Sequence, residues 1–148
     1  MNAEVFVDTN IFLYSIDDSP AASEKREVAR EILRTEPWGW SVQVATEFFV
    51  NATSNKRSFR LTTDLAKSLV EAWLSFPTAD ITPDIVRAAM TLHRRFQTSY
   101  WDSAILATAK QLGCHTVYSE DLNDQQNYDG VTVVNPFRRI GVAAGPAN

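Results

Sequence analysis

A chain of 148 residues and 16.6 kDa, 45% hydrophobic, is sized for one globular domain with a substantial core, and a second domain is not expected. No apolar run reaches the ~20 residues that span a bilayer, and the opening Met-Asn-Ala-Glu lacks a basic-then-apolar leader, so a cytoplasmic protein with no membrane association is expected. The single cysteine, Cys114, excludes an internal disulfide and a multi-cysteine zinc site, His93 and His115 have no ligand-spaced companions, and a net charge of −4 argues against a chain that wraps nucleic acid in a positive field.

In chain order, Glu4-Val5-Phe6-Val7 reads as a short strand ending at Asp8, and Thr9-Asn10-Ile11-Phe12 as a polar turn into a helix, the opening of an α/β protein. Beyond the loop around Asp17-Asp18-Ser19-Pro20, residues 23–35 set Val28, Ala29, Ile32 and Leu33 on one face of an amphipathic helix. Trp38 to Ser41 is a short second strand, followed by a helix over 42–53 with Val44, Phe48 and Ala52 at i, i+4 and i+8. The polar, basic link 55–58 leads to a helix over 62–76, closed by Pro77, and a brief strand over 79–81. Thr82-Pro83 supplies an N-cap and first-turn proline for a helix running to about Gln97.

A helix over 102–112 stops at Gly113, a strand over 115–118 runs into Ser119-Glu120-Asp121, and an Asp129-Gly130 turn precedes the last strand, 131–134. The small-residue segment 141–148 is expected to be a disordered tail, leaving 1–140 as the domain. Strands separated by helices need crossover connections. The expected fold is therefore a three-layer α/β/α arrangement around a central, mostly parallel sheet of four to five short strands. Ligands of such sheets bind beyond the carboxyl ends of the strands, where the strand order reverses.

Acidic residues fall at that edge. Asp8 ends the first strand, and Asp121 follows the fourth by three residues. Asp102 precedes Ile105, Leu106 and Ala109 at helical spacing, which turns it toward the core, and Glu47 lies beside the buried stripe of its helix with Asn51 one turn on. Singly, each has an ordinary explanation: helix caps for Asp8 and Asp102, a turn for Asp121 beside Asn123, a solvent-reaching helix position for Glu47. Together they repel one another unless a cation neutralises them, and no Lys or Arg stands in their motifs. An all-oxygen, carboxylate-rich set suits Mg²⁺ or Mn²⁺, one or two of them, with Asp8 and Asp102 as the closest ligands and Glu47 and Asp121 acting directly or through water. The negative net charge is then compatible with a phosphate-bearing substrate met through the metal.

Val7-Asp8-Thr9-Asn10-Ile11, Thr46-Glu47-Phe48, Tyr100-Trp101-Asp102-Ser103-Ala104 and Tyr118-Ser119-Glu120-Asp121-Leu122, in this order across residues 4–137, resemble the PIN-domain ribonucleases, particularly toxins of the VapC type. The resemblance implies Mg²⁺- or Mn²⁺-dependent RNA cleavage, a homodimer and a cognate antitoxin. It makes Asp8, Glu47, Asp102 and Asp121 the acidic quartet, with Thr9, Asn10 and Ser119 shaping the pocket around the substrate. Glu120 is expected to be exposed, and Asp124 is left open as a substitute for Asp121.

Lys56-Arg57 with Arg60, and Arg94-Arg95, are candidates for RNA contact or plain solvated surface. Tyr100 and Trp101 could stack an unpaired base, although aromatic residues opening a helix more often join the core or a subunit interface. Trp38, Trp40, Trp73 and Phe48-Phe49 are core or interface residues. Two rival readings are a non-catalytic RNA- or protein-binding module and phosphotransfer on a strand-end aspartate. Asn10, two residues after Asp8, removes the second aspartate of haloacid-dehalogenase-like phosphatases, and the acidic pair with a strand-end lysine that receiver domains need is missing.

Overall fold

The computed structural model describes residues 2–138 and residue 140, and the expected tail over 141–148 lies outside them. Strand β1 (Val5–Val7) is buried along its length, as befits a strand covered on both faces. Asp8 ends it in an extended conformation and caps helix α1 (Thr9–Ile16), its carboxylate accepting the Thr9 N–H at 2.7 Å. Helix α2 (Ser23–Thr35) buries Ala29 and Ile32, strand β2 (Trp38–Ser41) is wholly buried, and Ser41 caps helix α3 (Val42–Ala52). Thr62 caps helix α4 (Thr63–Trp73), which stops three residues short of the expected end, and strand β3 (Thr78–Ala79) begins one residue early.

Helix α5 (Pro83–Phe96) starts on the Thr82 cap and ends at Gln97, whose left-handed backbone (φ 59°) closes it. Helix α6 (Tyr100–Gln111) begins two residues before Asp102 and buries every residue from Ser103 to Ala109. Strands β4 (Thr116–Tyr118), β5 (Asn127–Tyr128) and β6 (Val131–Val134) complete a six-stranded sheet in the order β3-β2-β1-β4-β6-β5. All pairings are parallel except β5 with β6. The mostly parallel α/β sheet stands as expected, but the count is six, not four to five. The extra strand is the two-residue β5, too short for any alternation to show. Its hairpin is closed by Asp129 and Gly130, both with positive φ, the conformation that a two-residue hairpin turn requires.

From β1 the chain steps outward through β2 to β3, then returns past β1 to β4 on the other side. Right-handed crossovers therefore place α1 to α4 on one face and α5 with α6 on the other. The strand order switches direction at β1 and β4, and sheets of this kind bind ligands in the crevice beyond the carboxyl ends of the strands at such a point. On the α1 face, Phe12 lies within 4.9–5.2 Å of the Trp40, Trp73 and Trp38 rings, and Phe76 stacks on Trp38 at 4.0 Å. Gly39 lets β2 pass close by, since a Cβ there would stand 2.8 Å from the Ala3 Cβ and 3.1 Å from the Pro77 carbonyl.

Candidate active site

Asp8, only 5% exposed, stands at the carboxyl end of β1, and both its oxygens are engaged. One accepts the Thr9 N–H and the other the Ser119 hydroxyl at 2.8 Å. Ser119, fully buried just beyond β4, also accepts the Asp121 N–H at 3.1 Å and lies 3.5 Å from the Asn10 amide nitrogen. That amide donates to the Asp121 carboxylate at 3.0 Å, so Asn10 and Ser119 together tie the β1 and β4 edges into one cluster. The Asn10 carbonyl oxygen is buried with no partner, an acceptor left for a ligand or water. Asp121 itself is exposed.

The α3 carboxylate arrives from the side. Glu47 accepts the Thr9 hydroxyl at 2.9 Å on one oxygen and the Gln43 amide at 3.0 Å on the other. The sequence pattern makes Asp102 the residue that opens or caps its helix. The structure corrects this: Ser99 is the cap, its hydroxyl accepting the Asp102 N–H at 3.1 Å, and Asp102 stands half-buried in the first turn. Relieved of capping, its carboxylate faces the other acids.

Electrostatics show the convergence. Burial pushes the Asp8 carboxyl up to about 6, against hydrogen bonds from Ser119 and Thr9 that favour its charged form, and the charges of Asp121 and Glu47 push it further. Asp102 is likewise raised, first by burial, with the Ser99 hydroxyl opposing and Asp121 and Glu47 adding repulsion. Among the described residues, none of the four carboxylates has an ion-pair partner.

A PIN-domain family model matches residues 5–131. The chain belongs to the PIN-domain family. No curated protein matches it, but solved structures do. A toxin–antitoxin complex from Klebsiella pneumoniae aligns with a TM-score of 0.65 at 21% identity, over 89% of this chain and 97% of that one. Mycobacterium tuberculosis VapC20, a sarcin–ricin loop cleaving toxin, aligns with a TM-score of 0.63 at 19% identity, over 79% and 89%. Rickettsia felis VapBC2, bound to promoter DNA, gives 0.60 at 15% identity, over 87% and 96%. At such identities these likenesses speak to the fold.

In this PIN domain the residues fit a divalent cation in kind: the donors are all oxygen, the charges are uncompensated, and an acceptor is left over on Asn10. They do not form a closed cage. Among the described residues, no three acidic, histidine or cysteine side chains are close enough to hold an ion between them. That geometry fits an ion held by one or two carboxylates and otherwise by water, the usual habit of Mg²⁺.

The two acids left ambiguous are both occupied elsewhere. Glu120, expected to be exposed, is half-buried: it pairs with Lys25 at 3.1 Å and accepts the Tyr14 hydroxyl at 2.6 Å. Asp124 pairs with Arg138 at 2.6 Å and accepts the Asn135 N–H. The basic candidates divide. Arg57 faces Asp17, and Arg95 faces Asp129 beside Lys110, while Lys56, Arg60 and Arg94 form no ion pair among the described residues. Gln43 is the residue that sequence reasoning missed. It is 7% exposed and bridges Glu47 to the Trp101 carbonyl, and its signal was the i, i+4 spacing of two polar residues on a buried helix face.

Proposed function

We propose that this PIN domain, residues 1–140, is an endoribonuclease that uses Mg²⁺ or Mn²⁺ and serves as the toxin of a toxin–antitoxin pair. The observation that carries the reading is that Asp8, Glu47, Asp102 and Asp121 lie near enough, beyond the carboxyl ends of β1 and β4, for Asp121 and Glu47 to raise both Asp8 and Asp102, with no ion-pair partner among the described residues. Asp8 and Asp102, from β1 and α6, are the direct ligands. Glu47 and Asp121 act directly or through water. Once bound, the cation supplies positive charge to the scissile phosphate and acidifies water for the attack.

The chain's own part is positioning. Thr9 and Gln43 fix both oxygens of Glu47, Ser119 and Thr9 fix those of Asp8, and Asn10 turns Asp121 toward the crevice. Among the described residues, no side chain is set up as a nucleophile. The Ser119 and Thr9 hydroxyl protons are committed to carboxylates, and Cys114 is buried, with burial pushing its thiol up to about 11. Thr9, Asn10 and Ser119 thus reach the substrate through the carboxylates they hold.

A cognate antitoxin completes the proposal, supported by the toxin–antitoxin complexes among the similar structures, and the cytoplasmic homodimer is carried over from the family resemblance. Among the described residues, no helix is long and apolar enough to cross a membrane. Purified protein should cleave RNA with Mg²⁺ or Mn²⁺ and lose the activity in excess EDTA, and Asp8→Asn or Asp102→Asn should abolish it. Cleavage that persists in EDTA, or in both variants, would sink the mechanism. RNA binding without turnover under any metal would favour the binding-module reading. For the toxin role, expression should arrest growth in the wild type and not in Asp8→Asn.

A further inference from the structure

Trp101 is the one aromatic residue left open to solvent: it is 62% exposed, while every other tryptophan, tyrosine and phenylalanine is buried or half-buried. Leaving so large an apolar ring in water forgoes the stabilisation that burial brings its counterparts, and no packing within the fold accounts for it. Its position is particular. Trp101 immediately precedes Asp102 in the first turn of α6, and the Tyr100 ring meets it edge-on, with centroids 5.2 Å apart and planes at 82°. Its carbonyl faces the Gln43 amide at 3.4 Å, the same amide that holds Glu47 at 3.0 Å. Trp101 thus borders the acidic cluster through its chain position and its carbonyl, with its ring in solvent; of the core-or-interface expectation, the core half is not met.

An RNA strand entering this crevice meets uncompensated carboxylates, which repel its phosphates. The flat face of a base carries no net charge and stacks on an aromatic ring whatever its identity. Stacking is therefore a contact that the acidic rim allows before any cation is bound. In a duplex the base faces are already stacked and paired, so the contact favours single strands. We propose that the Trp101 indole is a stacking platform for one unpaired base of the RNA, beside the phosphodiester held at the carboxylates. The proposal rests on the ribonuclease reading above and adds a base-binding subsite to it.

Trp38 and Trp40 are buried and Trp73 is half-buried, so quenching of tryptophan fluorescence by acrylamide, a neutral quencher, reports mainly on Trp101. In EDTA, a short single-stranded oligoribonucleotide should bind and shield Trp101, and a blunt duplex of the same composition should not. Trp101→Ala should weaken single-strand binding about tenfold and raise KM for cleavage while sparing kcat, and Trp101→Phe should restore most of the binding. Equal single-strand affinity in wild type and Trp101→Ala, or no shielding by bound single strand, would overturn the subsite. So would an indole already shielded in free protein as concentration rises, which would mean that a second copy covers it. Metal-dependent cleavage without shielding removes the subsite and leaves the nuclease reading standing, whereas absence of both binding and cleavage removes the two together.

Discussion

Asp8 serves two ends at once. As the cap of α1 it needs to be charged and hydrogen-bonded, and as a buried group among Glu47 and Asp121 it is pushed toward the neutral form, with its carboxyl at about 6. The consequence for stability has a definite sign. Without metal, the native state keeps a proton that the unfolded chain, with an ordinary aspartate near ~4, has released. That contribution is fully present below about pH 4 and is lost as pH rises through about 6. Asp8→Asn should therefore be more stable than wild type at pH 7.5 in EDTA, by up to about 3 kcal/mol, with the gap closing at pH 5. Thermal melts at the two pH values check this. Added Mg²⁺ should stabilise the wild type and not the variant, and its affinity should weaken as pH falls through 6, because the cation must displace the proton. A gap that widens toward pH 5 would contradict the assignment.

At the scale of elements, α6 shows how a cap sets a candidate metal ligand. Ser99, not Asp102, satisfies the first-turn N–H group, and this frees the Asp102 carboxylate to face the crevice. Ser99→Ala should cost about 1 kcal/mol of stability and, by letting the first turn fray, should reduce metal affinity more than an equally destabilising change remote from the site. Urea unfolding combined with a Mn²⁺ titration separates the two effects. The sequence pattern placed this helix correctly from its apolar positions, but the terminus was two residues off. Ser99 and Asp102 are both good caps, and only the backbone conformation chooses between them. The short β5 escaped for a different reason, since two residues carry no periodicity and the strand exists by pairing with β6.

For the whole molecule, the crevice depends on the aromatic cluster behind α1. Phe12 is fully buried and touches three tryptophan rings, so it fixes α1 against β2 and α4, and α1 carries Thr9 and Asn10 on its first turn. Phe12→Ala should destabilise the fold by about 3–5 kcal/mol, visible as a lower urea midpoint. Below the new midpoint the remaining folded protein should bind metal more weakly, since Thr9 and Asn10 lose their support. An unchanged midpoint would show that the cluster is not the keystone described.

The positions of every strand but β5, the crossover pattern and the acidic residues at strand ends were legible in the sequence, because apolar periodicity and caps are local and the parallel α/β architecture follows from their order. Asp8 and Asp121 could be assigned to one sheet edge on that basis alone. Which groups hold those acids was not legible. The Asn10–Asp121, Thr9–Glu47 and Ser119–Asp8 hydrogen bonds join residues from 38 to 111 positions apart, and the outward turn of Trp101 and the Lys25–Glu120 pair depend on how α6 and α2 pack. Local pattern determines what each segment becomes. Only the packed sheet, by setting β1 beside β4, decides which distant side chains share a carboxylate and which are left facing water.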